Sequence, residues 1–189
     1  SHETQGAGDR EFRDKAAHLS LEFGAEVTPP GTVETAFPLV HTLHLLMNDP
    51  GFTDIDLSNW TVVIGGSALP KALCTAFLAK GADIFTGYGM SETCPVLTLA
   101  HVTEEGLAEE EEIEIRCKTG RPLPLVDLRI VNEDMEDVPA NGQDVGVIIV
   151  RSPWLTQGYL KDKRNSEVLW EGGYLHTGDV ASIDKKNYV

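Results

Sequence analysis

No stretch of this sequence approaches the roughly 18 consecutive apolar residues that a membrane-spanning helix needs, so no span is expected. No charged segment followed by an apolar one marks a secretory leader, and the chain is therefore expected to be cytoplasmic. Cysteine is scarce. Cys74, Cys94 and Cys117 form no Cys-x-x-Cys pair, and an odd, sparse set fits reduced thiols rather than disulfides or a zinc site. Basic residues are also few, 15 against 30 acidic ones, for a net charge of −15. A phosphate-binding surface needs the opposite sign, so no nucleic-acid partner is expected. A Gly-x-Ser-x-Gly elbow is missing, and no Ser-His-Asp signature can be placed.

What remains is a globular composition. With 41% hydrophobic and 24% charged residues, a chain of 189 residues can bury a core as one domain or two small ones. Much of the acidic excess sits in Glu104, Glu105, Glu109, Glu110, Glu111, Glu112 and Glu114. Such a run reads as a solvated helix face or loop.

Periodicity and punctuation place the elements. Residues 1–33 are mixed in character and broken by Pro29-Pro30-Gly31; Ser1-His2 reads as a cloning remnant. Phe12, Ala16, Leu19 and Phe23 recur at helical spacing and predict a short helix over 11–23. An apolar helix over 42–47 stops at Asn48-Asp49-Pro50-Gly51. A buried strand over 61–64 ends in Gly65-Gly66, and Pro70 opens a helix that Gly81 closes. A second strand over 83–86 follows. Strand, helix, strand with glycines after each strand implies a parallel unit whose ligands collect at the carboxyl ends of the strands. Beyond Gly120 the character changes. Residues 121–124 read as an extended linker, and 126–131, 145–151 and 174–183 as strands separated by turns. The expected fold is α/β: part of a parallel α/β sheet layer over 34–120, then a mostly antiparallel β subdomain over 121–189.

The densest chemistry lies in Thr86-Gly87-Tyr88-Gly89-Met90-Ser91-Glu92-Thr93. An aromatic ring, bare backbone, a hydroxyl and a carboxylate are the parts a nucleotide site needs. Gly-Tyr-Gly alone is also ordinary turn chemistry. Four islands in this order carry more weight: Gly65-Gly66-Ser67-Ala68-Leu69-Pro70; Tyr88-Gly89-Met90-Ser91-Glu92-Thr93; Gly146-Val147-Ile148-Ile149-Val150 through Gly158-Tyr159-Leu160; and Gly173-Tyr174-Leu175-His176-Thr177-Gly178-Asp179. Over about residues 40–189 this set resembles the adenylate-forming superfamily of acyl-CoA synthetases, luciferases and adenylation domains, and within it a fatty acyl-CoA synthetase.

The resemblance implies that ATP and Mg2+ activate a fatty or other carboxylic acid as an acyl-adenylate, which coenzyme A then takes as a thioester. It implies that Gly65, Gly66 and Ser67 line the adenine and acyl pocket and that Tyr88 stacks on adenine. Ser91 would hydrogen-bond the α-phosphate and Glu92 would hold the magnesium. Gly87 and Gly89 would border the acyl group, with Gly89 also beside the nucleotide. Asp179 would accept from both ribose hydroxyls, a task suited to an ionised carboxylate. Gly158 and Tyr159 read as structural, and His176 as packing rather than catalytic.

Departures qualify the match. The family's phosphate loop, rich in Ser, Thr and Gly and ending in lysine, is not found, and residues 1–33 do not resemble it. The small C-terminal domain with its catalytic lysine is not represented either. The chain is thus expected to be an internal segment, inactive alone. Ser91 stands where threonine is commoner, Tyr174 where tryptophan is, and His41 at a usual proline position. His41 and His44, three apart on a helix, read as packing rather than a metal pair. Two other functions stay open: a non-catalytic nucleotide- or acyl-binding or interaction module, and an ester or thioester hydrolase using Ser91 or Cys94. Exposed edges and apolar faces lead to an expectation of self-association.

Overall fold

The computed structural model describes residues 34–36 and 40–189; the helix expected over 11–23 lies outside them. The chain forms two compact units. The first runs to Thr86 and regains His101–Cys117, and the second holds Gly87–Ala100 and Lys118–Val189.

In the first unit β1 (Glu34–Ala36), β2 (Trp60–Ile64) and β3 (Asp83–Tyr88) are parallel neighbours. Parallel strands covered on both faces carry continuous rather than alternating apolar residues. Val62, Ile64 and Ile84 are accordingly all fully buried. Helices α1 (Val40–Met47) and α2 (Lys71–Leu78) contribute Leu43, Leu73, Cys74 and Phe77 to this core, with the Phe52 and Phe77 rings 5.1 Å apart. Pro70 precedes α2 in extended conformation, where its missing N–H costs nothing. Gly81 turns the chain into β3 at φ +87°, with the Ser58 backbone 3.1 Å from where a Cβ would lie.

The glutamate run forms α3 (Glu109–Arg116), with four acids in the first turn, where negative charge suits the helix dipole. Its last residue is the anchor. Arg116, 8% exposed, donates to Asp83 Oδ1 (2.6 Å), to Glu112 Oε1 (2.8 Å) and to the Ile84 carbonyl (3.0 Å). The Thr86 hydroxyl donates back to the Arg116 carbonyl at 3.0 Å. One guanidinium thus ties α3 along β3. The Lys71–Glu114 pair at 2.9 Å is solvent-exposed and contributes little.

The second unit is antiparallel. The last two residues of β3 pair with β4 (Thr98–Leu99), and β4 pairs with β5 (Arg121–Pro122). Two segments here differ from what their sequence predicts. The strand expected over 83–86 runs on to Tyr88, because Gly87 and Tyr88 find partners in Leu99 and Thr98. The linker expected over 121–124 begins as a strand for the same reason. A three-stranded sheet follows, ordered β6 (Asp127–Val131), β7 (Gly146–Arg151), β8 (Leu175–Ala181), with a register shift between Val147 and Ile149. Helix α4 (Lys163–Leu169) supplies Leu169 to a core of Leu97, Ile130, Ile148, Val150 and Leu175. Among the described residues no helix is long and apolar enough to cross a membrane.

Replacing Arg116 by methionine removes the pin while keeping volume. We expect a loss of about 2 kcal/mol, below the full cost of a buried pair because Asp83 and Glu112 are each a third exposed. Urea unfolding should register it as a lower midpoint, with Lys71→Ala as a near-silent control.

Candidate functional site

The site starts where β3 ends. The Tyr88 carbonyl accepts from Leu97 N at 2.7 Å, which closes the intervening residues into a loop. Gly89 lies under that closure: a Cβ there would fall 1.7 Å from the Pro95 carbonyl oxygen, so only glycine fits. Thr93 is fully buried, and its hydroxyl accepts from Met90 N and lies 2.9 Å from both the Met90 and Pro95 carbonyls, between which its single proton is placed. The short 3-10 turn Ser91–Thr93 therefore hangs on Thr93. Ser91 stands exposed, and among the described residues its hydroxyl has no partner.

Asp179 comes from β8. Thr177 Oγ1 donates to the Ile148 carbonyl at 2.9 Å and accepts from Asp179 N at 3.1 Å, while Gly178 adopts φ +79° between them. This kink leaves Asp179 exposed at the strand. The Tyr88 hydroxyl then donates to Asp179 Oδ2 at 2.6 Å, across 91 residues of chain. Oδ1 has no partner among the described residues. Burial, and after it the bond to Asp179, push the Tyr88 phenol well above its ordinary range.

Glu92 is held from the opposite direction. Its backbone carbonyl accepts from Thr156 N at 2.9 Å, and its Oε1 accepts from the Tyr159 hydroxyl at 2.8 Å. That bond is the first cause raising the Tyr159 phenol. Among the described residues no three His, Cys, Asp or Glu side chains group as metal ligands. A lone carboxylate with one unshared oxygen nevertheless fits magnesium, which keeps most of its shell as water and phosphate oxygens.

A family model described as AMP-binding enzyme matches residues 30–160, over half of the sequence. The chain belongs to the AMP-binding enzyme family. Among curated relatives, the long-chain-fatty-acid–CoA ligase of Thermus thermophilus is 38% identical over 131 residues, covering 68% of this chain and 24% of that protein. The medium-chain-fatty-acid–CoA ligase of Ectopseudomonas oleovorans is 32% identical over 133 residues, covering 68% and 24%. The luciferase-like enzyme of the nonluminescent mealworm Zophobas morio superposes with a TM-score of 0.67 at 26% identity, over 82% of this chain and 36% of that one. The N-terminal domain of FACL13 from Mycobacterium tuberculosis shares the fold with a TM-score of 0.69 at 22% identity, over 82% and 37%. The chain spans about a quarter of the length of the curated relatives it matches.

The residues expected to act divide by location. Tyr88 and Asp179 are brought into direct contact, and Glu92 and Ser91 follow on the loop behind Tyr88. Gly87 is buried inside β3. Gly65, Gly66 and Ser67 form an exposed turn at the carboxyl end of β2 in the first unit. His41 and His44, expected to pack, are exposed on α1 instead, because Thr42, Leu43 and Leu46 take the buried face. His176 is tied to the Glu171 carbonyl at 2.9 Å. Tyr159, structural by its sequence context, also bonds Glu92 through its hydroxyl, a contact that sequence reasoning missed. The two residues lie 67 apart, and no local spacing announces them.

Tyr88 supplies a test. Its raised phenol contributes stability that is complete below its ordinary value of 10.0 and is lost as pH rises through the folded value. Between about pH 9 and pH 11 the urea midpoint of the wild-type chain should fall more steeply than that of Tyr88→Phe. Equal slopes would show that Tyr88 is not the group that titrates.

Proposed function

We propose that this chain is a segment of an ATP-dependent acyl-CoA ligase, holding part of its nucleotide-binding and adenylation site. The observation that carries the reading is the Tyr88–Asp179 hydrogen bond, which sets an aromatic ring beside an exposed acid with one oxygen left to accept. A ring and a diol-accepting carboxylate are what a nucleoside requires. The relatives named above, acyl-CoA ligases by description, support the reaction class.

In this reading the substrate's own carboxylate attacks the α-phosphorus of ATP, forming the acyl-adenylate as the α–β phosphoanhydride bond breaks and pyrophosphate leaves, so no protein nucleophile is needed. The residues orient and stabilise charge instead. Tyr88 stacks on adenine, Asp179 accepts from the ribose hydroxyls, and the free Ser91 hydroxyl donates to the α-phosphate. Glu92 holds Mg2+, which when bound offsets phosphate charge. Gly87 and Gly89 lie beside the acyl group. For Gly65, Gly66 and Ser67 we propose close approach of ligand along bare backbone. Coenzyme A is the thiol co-substrate of the full enzyme. A hydrolase finds no such support, since among the described residues no histidine is bonded to Ser91 or Cys94.

Titration calorimetry of the 189-residue chain with a nonhydrolysable acyl-adenylate mimic should give weak, saturable binding. Asp179→Ala should weaken it by about tenfold or more, the scale of one charge-assisted hydrogen-bond set. The same chain supplied with ATP, fatty acid and coenzyme A should form no thioester. Robust thioester formation would refute the segment reading, and binding indifferent to Asp179 would refute the site.

We also propose self-association of the isolated chain. Strands β6 and β8 bound the three-stranded sheet, and Val180 on β8 is 66% exposed. Light scattering at high concentration should give a mass above one chain; a clean monomer is the contrary outcome.

A further inference from the structure

We propose that Tyr159 is a positioning residue for Glu92, holding its carboxylate ready for a divalent cation carried on a polyphosphate. This deepens the reading of Glu92 given above and rests on it.

Glu92 sits on a loop behind β3, and a glutamate there would sample many rotamers. Two contacts from one distant segment restrict it. The Thr156 amide fixes the Glu92 carbonyl at 2.9 Å, and the Tyr159 hydroxyl fixes Oε1 at 2.8 Å. The segment delivering them is itself built. Trp170 Nε1 donates to the Thr156 carbonyl at 3.0 Å, and Tyr159 N donates to Ser166 Oγ at 2.8 Å. Ser166 Oγ in turn donates to the Asp162 carbonyl at 2.6 Å. Gly158 has φ +149°, and a Cβ there would lie 2.6 Å from Ser166 Oγ, so a larger residue would break the tie. Both ends of Tyr159 are thus held, backbone on α4 and hydroxyl on Glu92. The Gly158-Tyr159 pair acquires a purpose that its spacing alone did not suggest.

The chemistry of the donor matters. A lysine or arginine would also orient a carboxylate, but its charge would compete with the metal for it. A phenol is neutral through the physiological range and only donates here. It directs Oε1 and leaves the full negative charge on Glu92 with Oε2 unshared. That arrangement suits a hard cation with few protein ligands, and prior ordering lowers the entropy lost on binding.

The test is calorimetric titration of the whole chain with ATP, in excess Mg2+ and in EDTA. The variants are Tyr159→Phe, Glu92→Gln and the pair together. Tyr159→Phe should weaken binding in Mg2+ by about fivefold and leave the EDTA value nearly unchanged. In the Glu92→Gln background it should add nothing further. If Glu92→Gln weakens MgATP binding and Tyr159→Phe does not, Tyr159 has no positioning role and the Glu92 reading survives. If Glu92→Gln is also silent, or the wild type binds no nucleotide, the reading itself fails and the proposal with it. A second measurement needs neither nucleotide nor the phenylalanine variant to fold. Ultraviolet titration should show one phenol ionising at lower pH in Glu92→Gln than in wild type. A phenol that does not move means that the bond is absent and overturns the proposal.

Discussion

A neutral phenol donating to an ionised carboxylate is the contact on which the site depends. Tyr88 closes β3 and Asp179 belongs to β8, and the 2.6 Å bond between them joins the two ends of the second unit's chemistry. The donor is half-buried against the apolar cluster around Leu97 and Leu175, which fixes the ring, and the acceptor stays in solvent. Such a pair keeps its geometry without spending the acid's charge. The same logic recurs at Tyr159 and Glu92, again a phenol on an acid, again with one carboxylate oxygen left unshared.

The parallel half of the fold was legible because its signals are local. Val62, Val63 and Ile64 form an apolar run closed by two glycines, and Pro70 marks the helix start at one remove. What was not legible depended on partners distant in sequence. Nothing near Arg121 and Pro122 says that they pair with Leu99 and Thr98, and Pro122 lowers any strand expectation. The extension of β3 through Gly87 has the same origin, since glycine disfavours strand unless a neighbour supplies the ladder.

The site divides in the same way. Ser91, Glu92 and Asp179 stand out by residue type and order, so they could be named as candidates without coordinates. Their supports could not. Thr93 looks like any loop threonine, yet its buried hydroxyl organises the turn. The same holds in the first unit's fold for Arg116, which looks like part of a surface charge run although it lies in the core. Ionic residues surrounded by acids read as solvated until a strand is seen to run beneath them.

The loop between Tyr88 and Leu97 holds its form through the Thr93 hydroxyl and the Pro95 carbonyl, neither of which carries the proposed chemistry. The Ser91 and Glu92 side chains ride on that frame and take no part in the Thr93 bonds that close it. Shape and reactivity are therefore written into separate positions of one short segment. Descendants of this chain can trade one hydroxyl or acid for another at the tip while the scaffold below stays under its own, independent constraint.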